Sequence, residues 1–328
     1  MAGSLGAPDL RTPAVGLLAT ATVLGLVALQ APFAVAAFGI MLFGPLHVLL
    51  AVRYLSGRVA DAVPASTGWL LVALLAAMAL VRAVTSFFPH LGHQLELFAS
   101  MGMVAFALAL GLRGRLRLFA LLPAVLAVVL SLAHLPWYGH LLTHGHNLIP
   151  LIFLWDWARG RTHRHRLAFV AANLVWLIGI PTAILIGATD PLLNGEPPGL
   201  VTQVVDPAAL IATAAPPGID PVLGLRLLGL LAFLQLMHYV LWMVFFQVWG
   251  RSQVERSPLP AGWRFWALAG GATAAVWAAY AVSYFDGRAA YSVLGASNAY
   301  LEQPVAVWVL LTALPVGATS TLVARLRE

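Results

Sequence analysis

The residues best suited to chemistry in this sequence lie between His134 and Trp157, in the stretch HLPWYGHLLTHGHNLIPLIFLWDW. Four of the ten histidines of the chain fall at its beginning, at positions 134, 140, 144 and 146. The rest of the stretch is apolar enough to enter a membrane, where an imidazole is costly to desolvate unless it binds something. This histidine-rich segment is therefore where the sequence predicts a functional site.

Spacing within the segment favours one pair of histidines as metal ligands. His140 and His144 are four residues apart, so on a helix both imidazoles project from one face and can bind the same ion. His146 projects from a different face of an ideal helix than His140 and is the poorer partner. The sequence therefore predicts a site built on His140 and His144.

A second group of candidate ligands lies in the stretch FFPHLGHQLE. His93 and Glu96 are three residues apart, a spacing at which a histidine and a carboxylate share one ion in metal-binding bundles. His90 joins them if the turn between the two is helical. Glu96 is also the candidate catalytic base, with a carboxylate of a loop as the alternative.

Two further histidines lie deep in apolar stretches, His47 in FGPLHVLL and His238 in LQLMHYVLW. A histidine at mid-membrane depth needs a partner, either a metal or a backbone carbonyl. His163 and His165 alternate with arginines and are interpreted as part of a solvated basic loop. The alternative for the histidines near the predicted helix ends is a place at the lipid headgroups. The full set of predicted metal ligands is His47, His90, His93, His134, His140, His144 and His238.

Composition limits the kind of chemistry. The chain has no cysteine, which excludes disulfides, thiolate metal sites and iron–sulfur clusters. All 18 basic residues are arginine, so a lysine Schiff base is excluded as well. Imidazoles with one carboxylate suit iron, zinc or copper, and two histidines on different helices can also hold a b-type haem.

The elements that must position these residues are membrane-spanning helices. The chain has 328 residues, of which 61% are hydrophobic and 9% charged, against about 25% charged in soluble domains. The pattern predicts an all-α, polytopic transmembrane helix bundle of about ten spans, or nine if the first two segments merge across Gln30 to Pro32. The ten predicted apolar segments are 14–30, 32–55, 67–88, 93–112, 116–135, 138–157, 166–188, 221–249, 263–284 and 303–324.

The arginines orient this bundle. All but three of the 18 fall in alternate connections, which by the positive-inside rule places both termini in the cytoplasm of a multi-pass inner or plasma membrane protein. The exceptions are Arg82, Arg226 and Arg288. Arg82 and Arg226 can snorkel to the interface, or they can pair with Glu96 or a lipid headgroup. The arginines form no single stripe, so we expect no nucleic-acid partner.

One long connection, 189–220, interrupts the predicted single domain 1–328. It is rich in proline and glycine and holds four acidic residues and no base. The topology places it on the non-cytoplasmic side, where it is either a lid or an inert connector.

The histidine pattern resembles that of the bacterial membrane-bound Brp/Blh family of β-carotene cleaving dioxygenases. Gly44–His47 is similar to the early Pro-His element of that family, His140 and His144 to its HxxxH pair, and Met237–His238 to its late histidine. His90 or His93 stands for the second histidine. The resemblance implies an iron held by histidines from several helices and the use of dioxygen.

The function predicted from the sequence is a histidine-ligated, metal-dependent membrane enzyme, an oxygenase acting on an apolar lipid or isoprenoid substrate with iron as its metal. Membrane lipids, the apolar substrate and dioxygen are the expected partners. Two alternatives stay open at this point. One is a zinc-dependent intramembrane lipid hydrolase, and the other is a non-enzymatic b-type haem protein or ion carrier.

Overall fold

The computed structural model describes residues 10–60, 65–85, 87–112, 115–133, 135–159 and 163–313. Within these ranges the chain consists of helices and their connections, with no β-strand. The predicted all-α fold is therefore confirmed for the described part of the chain. A helix satisfies its own backbone hydrogen bonds, which is why apolar segments adopt it where water is scarce.

Sixteen α-helices run through the described residues, interspersed with four short 3-10 or π turns. In chain order they are α1 (Arg11–Gln30), α2 (Pro32–Val59), α3 (Ala65–Thr85), α4 (Pro89–Gly111), α5 (Arg115–Ala133), α6 (Leu135–Gly145), α7 (Pro150–Arg159), α8 (His163–Leu174), α9 (Ile180–Leu185), α10 (Gly199–Thr202), α11 (Pro207–Ala214), α12 (Pro221–Val240), α13 (Phe246–Trp249), α14 (Arg251–Arg256), α15 (Trp263–Val282) and α16 (Tyr284–Ala313).

Proline accounts for two departures from continuous helix. α1 and α2 are separate helices divided at Ala31, whose φ of −139° and ψ of 50° are not helical. The ring of Pro32 disfavours helical backbone at the residue before it, which places the break there. The predicted segment 138–157 is likewise interrupted, because α6 ends at Gly145, a 3-10 turn covers His146–Leu148, and α7 begins at Pro150.

Six helices in the described ranges are long and apolar enough to cross a membrane. Large apolar side chains such as Trp263 (75% exposed) and Val282 (79%) point outward, as expected of a surface that faces lipid. The chain is thus a membrane protein by its helices, while the number of ten spans stays a prediction. The six helices are Arg11–Gln30, Pro32–Val59, His90–Ala109, Arg166–Leu185, Pro221–Trp249 and Trp263–Val282.

The chain divides into two compact units. Unit 1 comprises Met1–Gly39 and Phe153–His238. In it, α1 packs on α8 and on the π turn that follows α8. The ring of Trp176 lies edge-on to that of Phe233, with centroids 6.4 Å apart, and its Nε1 donates to Asn173 Oδ1 at 2.9 Å. Asn173 is therefore engaged by a tryptophan and not by a histidine.

The long connection 189–220 belongs to unit 1 and contains α10 and α11. Gln30 Nε2 donates to the Leu192 carbonyl at 2.8 Å, and the Asn194 amide donates to the Leu29 carbonyl at 2.8 Å. These bonds tie the start of the connection to the end of α1. A lid function for this connection stays a prediction.

Arg226 forms a two-pronged ion pair at the start of the same connection. Its Nε donates to Asp190 Oδ1 at 2.9 Å and its Nη2 to Oδ2 at 2.5 Å. Hydrogen bonding to the guanidinium holds the pKa of Asp190 below its usual range. Gly187, at φ 80°, lies against this pair, and a Cβ there would lie 2.2 Å from Arg226 Nη2, so only glycine fits.

Unit 2 comprises Ile40–Ile152 and Tyr239–Glu328. α16 packs against α3, α4 and α15, and α4 also packs against α3 and α5. α16 begins at Tyr284, well before the predicted apolar segment 303–324. Its first half, which contains polar residues, is also helical and packs inside unit 2. One buried core cluster joins α3, α4 and α16 through Met78, Met103, Ala296 and Tyr300.

Candidate functional site

His140, His144 and His146 of the histidine-rich segment lie in unit 2, on α6 and the 3-10 turn after it. The Nδ1 of His146 lies 3.1 Å from the Leu142 carbonyl. A carbonyl only accepts, so Nδ1 carries the proton, and Nε2 is the acceptor of the neutral ring. Asn147 Nδ2 donates to the Thr143 carbonyl at 2.8 Å. These contacts fix two polar side chains at the point where α6 tightens into the turn.

A partly open cavity of about 490 Å³ lies beside this turn. Residues from α4, α5, α6, the turn after it, the start of α7 and α16 line it. Three lining residues are polar, namely Tyr138, His146 and Gln303, and the others are apolar or glycine. The histidine that lines the cavity is thus His146, which the ideal helical spacing had set apart from the predicted pair. The apolar lining and Gly145 comprise Met101, Val104, Leu108, Ala127, Leu141, Leu142, Gly145, Ile149, Ile152, Ala306 and Val307.

His140 and His144 lie on α6 and are both half-buried. The Nδ1 atom of His144 is itself buried, and this ring is within electrostatic range of His146. The predicted pair therefore lies on α6, the helix that contributes other residues to the cavity lining.

A buried polar network connects α3, α4 and α16. Arg82 Nη1 donates to Glu96 Oε2 at 2.6 Å, and the Tyr300 hydroxyl donates to Glu96 Oε1 at 2.5 Å. Glu96 is 4% exposed and Tyr300 is 1% exposed. Both oxygens of the predicted catalytic carboxylate are therefore engaged, and Arg82 pairs with it instead of snorkelling.

This network continues toward the cavity. The Ser100 hydroxyl, one helical turn beyond Glu96 on α4, donates to Gln303 Oε1 at 3.0 Å. The hydroxyl of Tyr138 is buried beside the Ser100 and Tyr300 side chains. Two of the three polar groups that line the cavity, Gln303 and Tyr138, thus stand next to the network.

The histidines at the start of α4 are exposed. His90 Nε2 lies 3.1 Å from Gln94 Nε2, so the Gln94 side chain is a hydrogen-bond partner of this imidazole. His93 is within electrostatic range of Glu96, Arg82 and His90.

The deep histidines divide between the two units. His47 is 2% exposed in unit 2, with its ring centroid 4.6 Å from that of Tyr239, and it is within electrostatic range of His146. His238 is fully buried in unit 1, near the end of α12. His134 lies outside the described residues.

Metal binding can be tested against the geometry of these donors. Among the described residues, no three histidine or carboxylate side chains form a group that could hold one ion. Two sets of side chains interact without forming such a group: histidines 47, 144 and 146, and His90 and His93 with Glu96. The described part of the chain therefore forms no ready three-ligand site.

A second buried carboxylate was not identified from the sequence. Glu302 on α16 is fully buried and accepts a hydrogen bond from Asn298 Nδ2 at 2.6 Å. The Trp242 side chain lies beside it. The i, i+4 spacing of Asn298 and Glu302 just before Pro304 is the pattern that would have indicated this pair.

Comparison of this chain with models of protein families, with curated proteins and with solved structures finds no match, so the functional conclusion rests on the geometry of the site.

Proposed function

We propose that this chain is an integral membrane protein that takes up an apolar small molecule into the cavity between α4, α5, α6 and α16. The observation that carries the proposal is the cavity itself. Its volume of about 490 Å³ lies in the range of roughly 300–1,000 Å³ that is typical of small-molecule sites. Its lining is apolar with three polar groups, which is the usual composition of such sites.

The surroundings of the cavity support a ligand that arrives from the bilayer. Leu141, which lines the cavity, is 72% exposed, so the wall on α6 continues into a surface suited to lipid. A partly open apolar cavity at such a surface favours molecules that are already dissolved in the membrane.

Two glycines on α6 make a matched test. Gly145 lines the cavity and Gly139 does not, and at either position an added Cβ meets no heavy atom within 4 Å. Gly145→Leu therefore adds an apolar side chain to the cavity wall at a position where its Cβ meets no atom, while Gly139→Leu adds the same side chain outside the lining. We expect Gly145→Leu to lower binding of 1-decylpyrene at least about tenfold, since it occupies the space that the ligand needs.

Binding is measured in detergent micelles as energy transfer from the tryptophans of the protein to pyrene. Gly139→Leu is the control and should bind as the parent protein does. Equal binding by both variants would show that the probe does not enter this cavity and would refute the proposal.

The metal-dependent oxygenase is a second candidate. The observation that favours it is the placement of His47 and His144 in electrostatic range of His146, all within unit 2. The test is elemental analysis of the purified protein together with its ultraviolet–visible spectrum. Stoichiometric iron without a haem band supports the oxygenase, zinc supports a hydrolase, and a fully folded protein without metal removes the metal-dependent functions.

We also propose the topology of about ten spans with both termini in the cytoplasm of the inner or plasma membrane. The distribution of arginines supports it. Because the chain has no cysteine, single cysteines can report the side of the membrane directly. A membrane-impermeant maleimide added to intact cells should label Asn194→Cys, in the long connection, and not Ser252→Cys on α14. The reverse pattern would contradict this orientation.

A further inference from the structure

We infer that unit 2 binds the headgroups of anionic phospholipids at the membrane face where α2 ends, α14 lies and α15 begins. None of the residues of this surface lines the cavity, so the inference does not depend on the proposed function. The described charged residues of the surface, within 53–60 and 250–266, are five arginines and one glutamate. They are Arg53, Arg58, Arg251, Glu255, Arg256 and Arg264, and we call this set the basic rim.

The basic rim lies at the ends of helices that are long enough to cross a membrane. The candidate span Pro32–Val59 ends there, and the candidate span Trp263–Val282 begins there. Trp263 and Trp266, in the first turn of the second span, are 75% and 54% exposed. Tryptophans on a lipid-facing surface concentrate at the level of the headgroups. The two side chains therefore indicate that the rim stands at this level.

Direct contacts hold the elements of the basic rim together. The hydroxyls of Ser56 on α2 and Ser257, the residue after α14, are 2.8 Å apart. The Arg53 guanidinium lies 4.3 Å from the centre of the Phe265 ring and so connects α2 with the start of α15. The arginines of the rim therefore belong to adjoining elements at one end of unit 2.

The charges of the basic rim do not balance. Arg251 and Glu255 form an ion pair at 2.7 Å, and four arginines remain in excess of the described carboxylates of the rim. Asp61, which follows the described part of α2 in the sequence, would leave an excess of three. Where α15 ends and α16 begins, Asp286 offsets Arg288. Clusters of basic residues next to a span attract anionic lipids, so only the basic rim has the charge for this interaction.

The surroundings of Arg264 favour a lipid over a soluble anion. Its side chain is exposed, and its guanidinium lies 5.9 Å from the centre of the Trp263 ring. A guanidinium can donate two parallel hydrogen bonds to phosphate oxygens. Trp266 and Leu268, which is 48% exposed, continue the surface of α15 as an apolar one. A phospholipid can use both parts of this surface, whereas a soluble anion can use only the arginine.

Lipid contact at the basic rim can be measured locally, because the chain has no cysteine. Ser252→Cys, at an exposed position of α14, carries a bimane fluorophore that a doxyl group quenches only at contact distance. The protein is reconstituted in phosphatidylcholine vesicles with increasing fractions of 5-doxyl phosphatidylglycerol or 5-doxyl phosphatidylcholine. Each arginine near a membrane surface contributes about fivefold toward an anionic lipid. We therefore expect phosphatidylglycerol to be preferred at least about fivefold at about 0.1 M NaCl.

Two arginines of unit 2 provide matched variants in the Ser252→Cys protein. Arg264→Gln removes one exposed charge from the basic rim and should lower the preference for phosphatidylglycerol about fivefold. Arg288→Gln removes the same charge near the start of α16 and should change the preference less than about twofold. Quenching by doxyl phosphatidylcholine should stay within about twofold in both variants, which shows that they are folded and inserted.

Salt and phosphate complete the test. The preference should disappear at about 1 M NaCl, where the Debye length is about 3 Å. Equal quenching by the two lipids at about 0.1 M NaCl, or an equal effect of Arg264→Gln and Arg288→Gln, would overturn the inference. Release of doxyl phosphatidylglycerol by inorganic phosphate, but not by chloride of the same ionic strength, would also overturn it, because free phosphate would then be the ligand.

Discussion

The contact between Tyr300 and Glu96 offers the sharpest test of how unit 2 is packed. It joins α16 to α4, two helices that are far apart along the chain. Tyr300→Phe removes only the hydroxyl that donates to Glu96 Oε1 and leaves the ring in its core cluster. Its effect therefore reports the hydrogen bond and not the packing.

The expected loss of stability in Tyr300→Phe follows from the burial and the charge of the Glu96 carboxylate. Hydrogen bonds between transmembrane helices average about 0.6 kcal/mol and reach about 1.7 kcal/mol. Bonds to a charged group contribute about 1.5–3 kcal/mol. The carboxylate here is 4% exposed and paired with Arg82, so we expect Tyr300→Phe to lower the free energy of unfolding by about 1.5 kcal/mol, where the two ranges meet.

Glu96→Gln is the second variant, which changes the acceptor of the same hydrogen bond. It leaves Arg82 without its anion, which for a fully buried pair costs about 3–5 kcal/mol. The Arg82 side chain is 29% exposed, so water offsets part of this cost and we expect about 1–3 kcal/mol.

The assay is reversible unfolding in mixed micelles, followed by circular dichroism, for both single variants and the double variant. The coupling energy of this cycle should be about 1 kcal/mol, since Glu96→Gln replaces the charged acceptor of the Tyr300 hydroxyl by a neutral amide and so weakens the same hydrogen bond that Tyr300→Phe removes. Tyr284→Phe is the matched control on the same helix, because its hydroxyl meets Arg288 Nη1 only at 3.5 Å. It should change stability by less than about 0.5 kcal/mol. A coupling energy near zero would refute the contact between α4 and α16.

Two further predictions concern other parts of the chain. Because Arg226 lowers the pKa of Asp190, the pair stabilises the protein fully above about pH 4, the ordinary pKa of an aspartate, and this stabilisation is lost as the pH falls through the lowered pKa. On acidification, the thermal unfolding temperature of the parent protein should therefore approach that of Asp190→Asn. A difference between the two proteins that does not depend on pH would contradict this prediction. If the predicted metal site exists, elemental analysis should find that His140→Ala and His144→Ala lose the metal while His163→Ala retains it, and unchanged content in the first two would remove that pair from the site.

Much of the secondary structure follows from the sequence, because apolar runs of about 20 residues form helices in a membrane whatever surrounds them. The predicted segment 221–249 coincides with the apolar helix Pro221–Trp249. The start of α16 was not predicted from the sequence, because Asn298 and Glu302 make its first half too polar for a predicted membrane span. Their mutual hydrogen bond and their burial inside unit 2 remove that objection, and no pattern of hydrophobicity contains such information.

Local ion pairs were also predictable where the partners are close along the chain. Asp156 and Arg159, three residues apart in sequence, form an ion pair at 2.8 Å. Arg226 and Asp190 are far apart in sequence, and this pair was not foreseen.

The sequence by itself determined that the chain is a helical membrane protein without thiol or lysine chemistry, and that its unusual residues concentrate around one histidine-rich segment. Those properties depend on composition and on short-range spacing. Only the tertiary structure decided that His146 lines the cavity, that Glu96 is held by Arg82 and Tyr300, and that Gln303, bonded to Ser100, lines the same cavity. The physical reason is that the direction of a side chain at a helix end depends on the local turn, and its partners depend on which distant helix packs against it.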